Sequence, residues 1–164
     1  MTKENKQRLI DLFLERSRER YPLVPDYARA PHNYSDKKAN GLQRCIKDFM
    51  TFNGHHCERI NTMGVPIDNR KIVTDVLGFK KQIGSIEWRP STSTKGSADM
   101  QGVINGRIYY FEIKIGRDKQ SPDQVKFQQS VELAGAKYFI IKSFDEFIEV
   151  YDNIIGAIDG QSAG

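Results

Sequence analysis

Asp99, Glu112 and Lys114 form a pattern of two acids and a lysine that is suited to metal-assisted catalysis. Two carboxylates can share one divalent cation, and two oxygen ligands with open coordination positions suit Mg²⁺. A lysine beside them can orient an attacking water or neutralise the negative charge that develops on a phosphate. Metal-assisted hydrolysis of a phosphodiester needs these groups, so we expect the fold to bring the three side chains into one solvent-accessible cleft.

A hairpin must position these three residues. The dipeptide Asn105-Gly106 is the strongest short-range signal for a two-residue type I′ turn. The flanking strands then pair so that the numbers of opposed residues sum to 211, which places Asp99 opposite Glu112. Opposed residues share a face of the sheet, with Cβ atoms about 4.5–5.5 Å apart, and Lys114 follows on that face by strand alternation. The other face is apolar and predicts a core, formed by Met100, Ile104, Tyr109, Phe111, Ile113 and Ile115.

The same three residues also fit a polar, solvent-facing strand surface on which two acids and a lysine occur by chance. A β-bulge in either strand would shift the register and separate Asp99 from Glu112. Repulsion between opposed carboxylates favours the functional interpretation, because it destabilises a hairpin unless a cation relieves it. The residues alone leave both interpretations open.

Helices and strands alternate along the chain in a pattern that predicts an α/β fold. Ser121, Pro122 and Gln124 match the N-cap, the first-turn proline and the third position of a capping box, so a helix begins there. The order strand, helix, strand from residue 107 predicts a right-handed crossover to a parallel neighbour. The segment 64–85 mixes short strand-like and helical patterns and predicts no single element. Predicted helices lie at about 3–20, 36–53, 121–134 and 144–156, and predicted strands at about 55–62, 99–104, 107–115 and 137–141.

The length of 164 residues indicates one domain rather than a tandem array. We expect residues 1–34 to form an N-terminal helical extension and linker, residues 35–156 the core, and residues 157–164 a tail. No apolar run approaches the ~18 residues that span a membrane, and the polar N-terminus does not resemble a signal peptide. The two cysteines, Cys45 and Cys57, are too few for a disulfide framework. We therefore expect a cytoplasmic, intracellular protein without a membrane partner.

The net charge of +4 is unevenly distributed. Positions 1–120 hold 22 basic and 14 acidic residues, whereas positions 121–164 hold 3 and 7. A basic main part suggests a polyanionic partner such as nucleic acid, although ordinary soluble surfaces carry such charges too. No helix-turn-helix or zinc-finger motif is present, so we expect phosphate-driven DNA binding that is not sequence-specific. Candidate DNA contacts are Arg59, Lys95 and Ser97.

Two short segments resemble the core motif of the PD-(D/E)XK nuclease superfamily. Ser97-Ala98-Asp99 is similar to the first half of the motif, and Glu112-Ile113-Lys114 is similar to the second. Ala98 stands where the motif that names the superfamily has a proline. The resemblance implies a restriction-endonuclease-like mixed β-sheet flanked by helices.

The flanking segments resemble the VRR-NUC branch of that superfamily. Downstream of the motif, Ser121-Pro122-Asp123-Gln124 is followed by Leu133-Ala134-Gly135-Ala136 and a buried strand. Upstream, Leu42-Gln43 lies in a predicted helix that ends at Gly54, and Arg59-Ile60-Asn61-Thr62 follows. In all, the resemblance covers about residues 39–148.

The resemblance implies a Mg²⁺- or Mn²⁺-dependent deoxyribonuclease, a metal-binding hydrolase and endonuclease. Asp99 and Glu112 would be its metal ligands and Lys114 its catalytic lysine, with Gln124 at the mouth of the site. The family usually also has a glutamate on the first core helix, where this chain has Lys38-Ala39-Asn40-Gly41. Asn40 or Gln43 could take its place, but neither is charged, which lowers the expected affinity for metal.

The sequence therefore leaves three functional interpretations. The one we favour is a DNA nuclease, with branched or structured DNA as a suitable substrate because a homodimer would present two sites to two strands. The alternative is a non-catalytic nucleic-acid-binding module on a nuclease scaffold, and the missing helix glutamate is its best support. An RNA-cutting enzyme is the third, since the lack of an aromatic RNA platform does not exclude RNA.

Overall fold

The computed structural model describes residues 1–60, 64–89 and 93–162. The predicted capping box is formed, because the Ser121 hydroxyl accepts from the Gln124 N–H and the Gln124 side chain accepts from the Ser121 N–H. The last helix is longer than predicted and includes residues 157–162, which were expected as a tail. Among the described residues, no helix is both long and apolar enough to cross a membrane. The helices are α1 (Lys3–Arg20), α2 (Ala39–Phe52), α3 (Pro122–Leu133) and α4 (Phe144–Ser162), and a 3₁₀ turn lies at Asp26–Ala28.

A mixed four-stranded sheet carries the predicted hairpin, and together with the helices it makes an α/β fold. The strands within the described residues are β1 (His56–Arg59), β2 (Val65–Asp68), β3 (Lys71–Thr74), β4 (Lys80–Ile83), β5 (Ile86–Arg89), β6 (Met100–Ile104), β7 (Arg107–Ile113) and β8 (Lys137–Ile141). The central sheet has the order β1-β6-β7-β8, in which β8 is parallel to β7 and the other pairs are antiparallel.

The β6–β7 hairpin has the predicted register. Met100 lies opposite Phe111, so the numbers of paired residues sum to 211. Asn105 and Gly106 have φ angles of 48° and 75°, as a type I′ turn requires at both central positions. β1 is shorter than the predicted strand 55–62, and residues 61–62 of that prediction lie outside the described residues.

The core lies between the central sheet and the helices α1, α2 and α4, while α3 covers the opposite face of the sheet. Phe49 of α2 is its centre, with ring centroids of Phe144, Phe147 and Tyr151 at 5.8, 5.9 and 5.0 Å in edge-to-face geometry. Leu9 of α1 is fully buried in the same cluster. The N-terminal helix is therefore packed into the core.

Residues 65–89 form an antiparallel arm, in the region for which the sequence predicted no single element. β2 pairs with β5 and β3 pairs with β4, and the numbers of paired residues sum to 154 in both ladders. The Asn69 N–H donates to the Ser85 carbonyl at 3.2 Å between the two ladders, so they are one long hairpin. Only Ile67 is even partly buried, because no helix or core strand of the described chain packs substantially against the arm.

Phe49→Ala should lower the free energy of unfolding by about 3–5 kcal/mol, because it leaves a cavity at the centre of the aromatic cluster. The matched control is Phe79→Ala in the arm, where the residue is 69% exposed and we expect a change within about 0.5 kcal/mol. Urea denaturation followed by circular dichroism measures both changes. Small and equal losses in the two variants would contradict this placement of the core.

Candidate active site

Asp99, Glu112 and Lys114 lie together at one end of the β6–β7 hairpin. Asp99 occupies the bend directly before β6, Glu112 lies in β7, and Lys114 follows the end of β7. The Asp99 carbonyl accepts from the Ile60 N–H at 2.9 Å, and its Oδ2 accepts from the Ile113 N–H at 2.9 Å. The backbone of two neighbouring segments therefore holds Asp99 beside the strand that carries Glu112.

The Glu112 carboxylate is buried and is contacted by three side chains. Glu112 is 1% exposed, and the Lys114 Nζ lies 2.9 Å from its Oε1. The Gln124 amide donates a short hydrogen bond to the same oxygen, and the Tyr138 hydroxyl donates to Oε2 at 3.1 Å. Because α3 covers this face of the sheet, the site is not open to solvent at Glu112. The expected solvent-accessible cleft is wrong at this residue.

Gln124 links the start of α3 to the buried charges. Its Oε1 accepts from the Ser121 N–H at 2.8 Å and from the Lys114 Nζ at 3.1 Å, while its amide nitrogen faces Glu112. The capping interaction thus orients the amide for the contact with the carboxylate. Asp118, whose carboxylate lies 3.5 Å from the Lys114 Nζ, adds a second acidic contact nearer the surface.

Burial sets the electrostatics of this cluster. It raises the pKa of Glu112, and the nearby Asp99 charge acts in the same direction, whereas hydrogen bonds from Lys114 and Tyr138 oppose both. Burial favours the neutral form of Lys114, but its hydrogen bond to Glu112 and the Glu112 charge outweigh this and raise the pKa of Lys114. Burial and the Glu112 charge also raise the pKa of Tyr138. Lys114 and Tyr138 therefore remain protonated donors at neutral pH.

The two residues expected to replace a helix glutamate lie at the start of α2. Arg59 donates to the Asn40 Oδ1 at 3.2 Å and is paired with Met100 in the sheet, so the start of α2 lies beside the start of β6. Gln43 is 5% exposed, and its buried Oε1 has no hydrogen-bond partner within the described residues. Neither side chain hydrogen-bonds to the two carboxylates of the site in the part of the chain that is described.

The loop at residues 93–97, which leads into Asp99, packs on the start of α3. The Lys95 Nζ lies 2.9 Å from a carboxylate oxygen of Asp123, and Ser97 is buried with its hydroxyl donating to the Thr94 carbonyl at 2.6 Å. Gly96 has a φ of +80°, and a Cβ there would lie 2.4 Å from the Asp123 backbone. Only glycine fits this approach. The structure therefore places Lys95 and Ser97 in contacts that fix the loop, with Lys95 still exposed at the surface.

The residues present match a hydrated divalent cation in donor type. Asp99 and Glu112 would supply two carboxylates, and Mg²⁺ commonly keeps several waters beside one or two carboxylates. Asp99 is partly exposed, and its Oδ1 has no hydrogen-bond partner within the described residues. Both Glu112 oxygens already accept from protein donors, so a cation would displace a donor. In the described ranges, no three or more histidine, cysteine, aspartate or glutamate side chains form a group that could hold a metal.

Sequence reasoning did not find Tyr138 or Asp118. Tyr138 contacts Glu112 because β8 pairs in parallel with β7 and sets Tyr138 beside Tyr110. The face of the sheet that these residues share lies under α3. The alternation of side chains along β8 predicts which residues share a face with Tyr138. It does not predict the register of β8 against β7, which sets Tyr138 beside Tyr110. Asp118 lies four residues after Lys114, a spacing that carries no signal outside a helix.

Comparison with known proteins adds no family assignment. No protein-family model matches this chain, and no curated protein matches it in sequence. The resemblance to PD-(D/E)XK nucleases therefore rests on the motif residues themselves. Of those residues, the structure brings Asp99, Glu112, Lys114 and Gln124 into one cluster.

Tyr138→Phe should lower the free energy of unfolding by about 1.5–3 kcal/mol at neutral pH in EDTA, because a buried carboxylate loses a donor. Since burial raises the pKa of Glu112, its ionisation costs stability as the pH rises. The substitution should raise the pKa of Glu112 further, so the free energy of unfolding should fall more steeply with rising pH in the variant than in the wild type. The difference in stability between the two proteins should disappear as the pH falls through the Glu112 pKa. Urea denaturation across a pH series measures both effects.

The matched control for this variant is Tyr110→Phe. Tyr110 is half-buried on the same face, and its hydroxyl has no hydrogen-bond partner within the described residues. We expect little change in stability at any pH. Equal losses in the two variants, independent of pH, would contradict the contact between Tyr138 and Glu112.

Proposed function

We propose that this protein is a metal-dependent nuclease that hydrolyses phosphodiester bonds in DNA. The observation that carries the proposal is the buried Glu112 carboxylate, held by Lys114 at 2.9 Å, with Asp99 anchored to the backbone N–H of the next residue, Ile113. Burying a charge costs several kcal/mol, so a merely polar strand face has no physical reason to bury an acid and an ammonium together. Carboxyls with burial-perturbed pKa values beside a specific charge partner are typical of active sites.

Each residue of the cluster has a role that follows from its contacts. When bound between Asp99 and Glu112, a divalent cation would polarise the phosphate and lower the pKa of water. Lys114 remains protonated, so its ammonium can neutralise charge on the scissile phosphate. Gln124 and Tyr138 each donate to one Glu112 oxygen and keep the carboxylate oriented.

The distribution of charge supports DNA as the substrate. The 22 basic residues within positions 1–120 exceed the 14 acidic ones, whereas α4 carries five acidic residues and no basic one. DNA should therefore approach away from α4, with contacts mainly to phosphates. If the protein forms a homodimer, its two active sites could each cut one strand, and branched DNA is then the substrate that we propose.

A non-catalytic nucleic-acid-binding module is the second candidate, and one observation favours it. Both Glu112 oxygens are engaged by protein donors, and no third acidic side chain joins Asp99 and Glu112 in a metal-binding group within the described ranges. Incubation with linear, nicked and four-way DNA, and with single-stranded RNA, in Mg²⁺, Mn²⁺ or EDTA separates the candidates. Metal-dependent cleavage supports the nuclease, and binding without cleavage of any substrate supports the module.

Glu112→Gln should reduce metal-dependent cleavage by at least about a hundredfold, because one ligand charge is lost from a preorganised site. DNA affinity in EDTA should remain close to that of the wild type, since the basic surface is unchanged. The matched control is Glu149→Gln, an exposed acid of α4 that should leave cleavage unchanged. Gel-based cleavage and fluorescence anisotropy measure the two quantities.

Two results would count against this assignment. Cleavage by Glu112→Gln at the wild-type rate would place the metal elsewhere. If Glu112→Gln lost its cooperative unfolding transition, Asp99→Asn, which keeps the shape of a partly exposed residue, would test the same site. Wild-type cleavage by that variant as well would reject the proposed ligands.

Activity should be higher in Mn²⁺ than in Mg²⁺ at equal concentration, because Mg²⁺ sheds its waters reluctantly and few anionic ligands are present. Gln43→Glu puts a carboxylate where a buried amide oxygen lacks a partner, and should lower the metal concentration that half-maximal cleavage requires. Asn40→Glu makes the same change next to Arg59, which would pair with the new acid. Metal titrations that are identical for wild type and both variants would exclude both positions as replacements for a helix glutamate.

A further inference from the structure

The arm, residues 65–89, is a projecting ribbon with the dimensions of a groove-binding element. Its two ladders hold eight residue pairs and extend from residue 65 to residue 74 of the first strand, which at about 3.3–3.4 Å per residue gives a length of roughly 30 Å. A two-stranded β-ribbon fits the major groove of B-DNA. An isolated ribbon of this kind is marginally stable in water, so a surface that it lies against is expected.

The arm has more cations than its own acids can pair. Asp68 is engaged by Arg70, at 2.7 and 2.8 Å, and the Asp75 carboxylate accepts from the backbone N–H groups of Leu77 and Phe79 at 2.9 Å. Glu87 is the remaining acid of the arm. Within the described residues, no hydrogen bond or ion pair engages the side chains of Lys71, Lys80, Lys81 and Arg89.

The tip of the arm is apolar and held in a defined conformation. Val76, Leu77 and Phe79 are 103%, 78% and 69% exposed. Asp75 organises the turn through its carboxylate and through the hydrogen bond from its own N–H to the Phe79 carbonyl at 2.9 Å. Proteins that bind the minor groove commonly combine cationic side chains with an apolar wedge that enters between base steps.

Both ends of the arm lead to the candidate site. The segment before β2 includes Ile60, whose N–H donates to the Asp99 carbonyl. The segment after β5 returns through the loop at residues 93–97, where Lys95 and Gly96 contact Asp123 at the start of α3, and then reaches Asp99. A polymer bound at the partly exposed Asp99 therefore passes the root of the arm.

We propose that the arm is a duplex-DNA clamp, in which Lys71, Lys80, Lys81 and Arg89 contact backbone phosphates and the apolar tip enters a groove. Phosphates neutralise such cations with release of counterions, which favours binding. A second protein copy would instead have to desolvate four cations, and lysine is depleted at the centres of protein interfaces. The inference rests on the proposed function in one respect, because it assumes that DNA is the polymer bound at the candidate site.

The first experiment measures the charge contribution. Fluorescence anisotropy with a labelled duplex in EDTA compares wild type with the triple variant Lys71→Gln, Lys80→Gln, Lys81→Gln over a salt series. At 0.9 per phosphate contact, the slope of log affinity against log salt should fall in magnitude by about three, and affinity near physiological salt should drop by roughly tenfold to a hundredfold. The matched control, Lys3→Gln, Lys137→Gln, Lys142→Gln, removes equal charge from exposed positions outside the arm and should change both quantities less.

The second experiment tests the tip. The variant Leu77→Ser, Phe79→Ser should weaken duplex binding without changing the salt slope, because it removes apolar contacts and no phosphate contact. Sedimentation velocity without DNA follows the oligomeric state of the same proteins. A wild-type dimer that the tip variant converts to monomer, with duplex affinity unchanged, would show that the arm covers a second copy and would overturn the proposal.

The outcomes separate the arm from the site. If the arm triple variant and the control triple variant lose duplex affinity equally, the clamp is rejected. Metal-dependent cleavage by the wild type would then still support the nuclease proposal. Arm-dependent binding without cleavage in Mg²⁺ or Mn²⁺ would support the clamp and reject the nuclease. A wild type that binds no duplex even at low salt would reject both. Because no core element of the described residues packs substantially against the arm, every arm variant should keep the wild-type unfolding transition, and urea denaturation checks this.

Discussion

The buried carboxylate of Glu112 is the interaction on which the arrangement of the site depends. An unpaired charge at 1% exposure would cost several kcal/mol, so its donors must be in place for the fold to be stable. These donors come from three places in the chain: Lys114 beyond β7, Gln124 in α3 and Tyr138 in β8. Satisfying one carboxylate therefore fixes the helix over the sheet and the parallel strand beside the hairpin.

The same contacts create a tension between stability and chemistry. Lys114 and Gln124 stabilise Glu112 at Oε1 and Tyr138 stabilises it at Oε2, so a cation held by this carboxylate would replace one of these contacts. Asp99 is the open half of the pair, because one of its oxygens accepts from the Ile113 backbone while the other has no partner within the described residues. A buried, protonated lysine next to an acid pair can supply positive charge to a phosphate without a change in its own ionisation.

The residues that stabilise the core and the residues of the proposed DNA contact lie in different parts of the molecule. The aromatic cluster around Phe49 holds α2 and α4 against one face of the sheet, and the described chain does not pack the arm against that core. The loop at residues 93–97 connects the two, since its glycine and its lysine both contact the start of α3. Substitutions in the arm can therefore change binding without changing the core, which makes the two proposals separable.

Local interactions within the chain made the hairpin turn and the start of α3 predictable from the residues. Asn105-Gly106 adopts positive φ angles, and a two-residue turn leaves one register for its strands, which is why the register of β6 and β7, from Met100 opposite Phe111, was predictable. The capping box placed Gln124 at the start of a helix. The contacts around Glu112 depend instead on packing between elements that are distant in the sequence. A helix crossover leaves the register of β8 free, so only packing brings Tyr138 to Glu112, and only packing buries that acid. The arm has both faces exposed, so no hydrophobic period marked it in the sequence, and its shape follows from strand pairing that side-chain patterning does not encode.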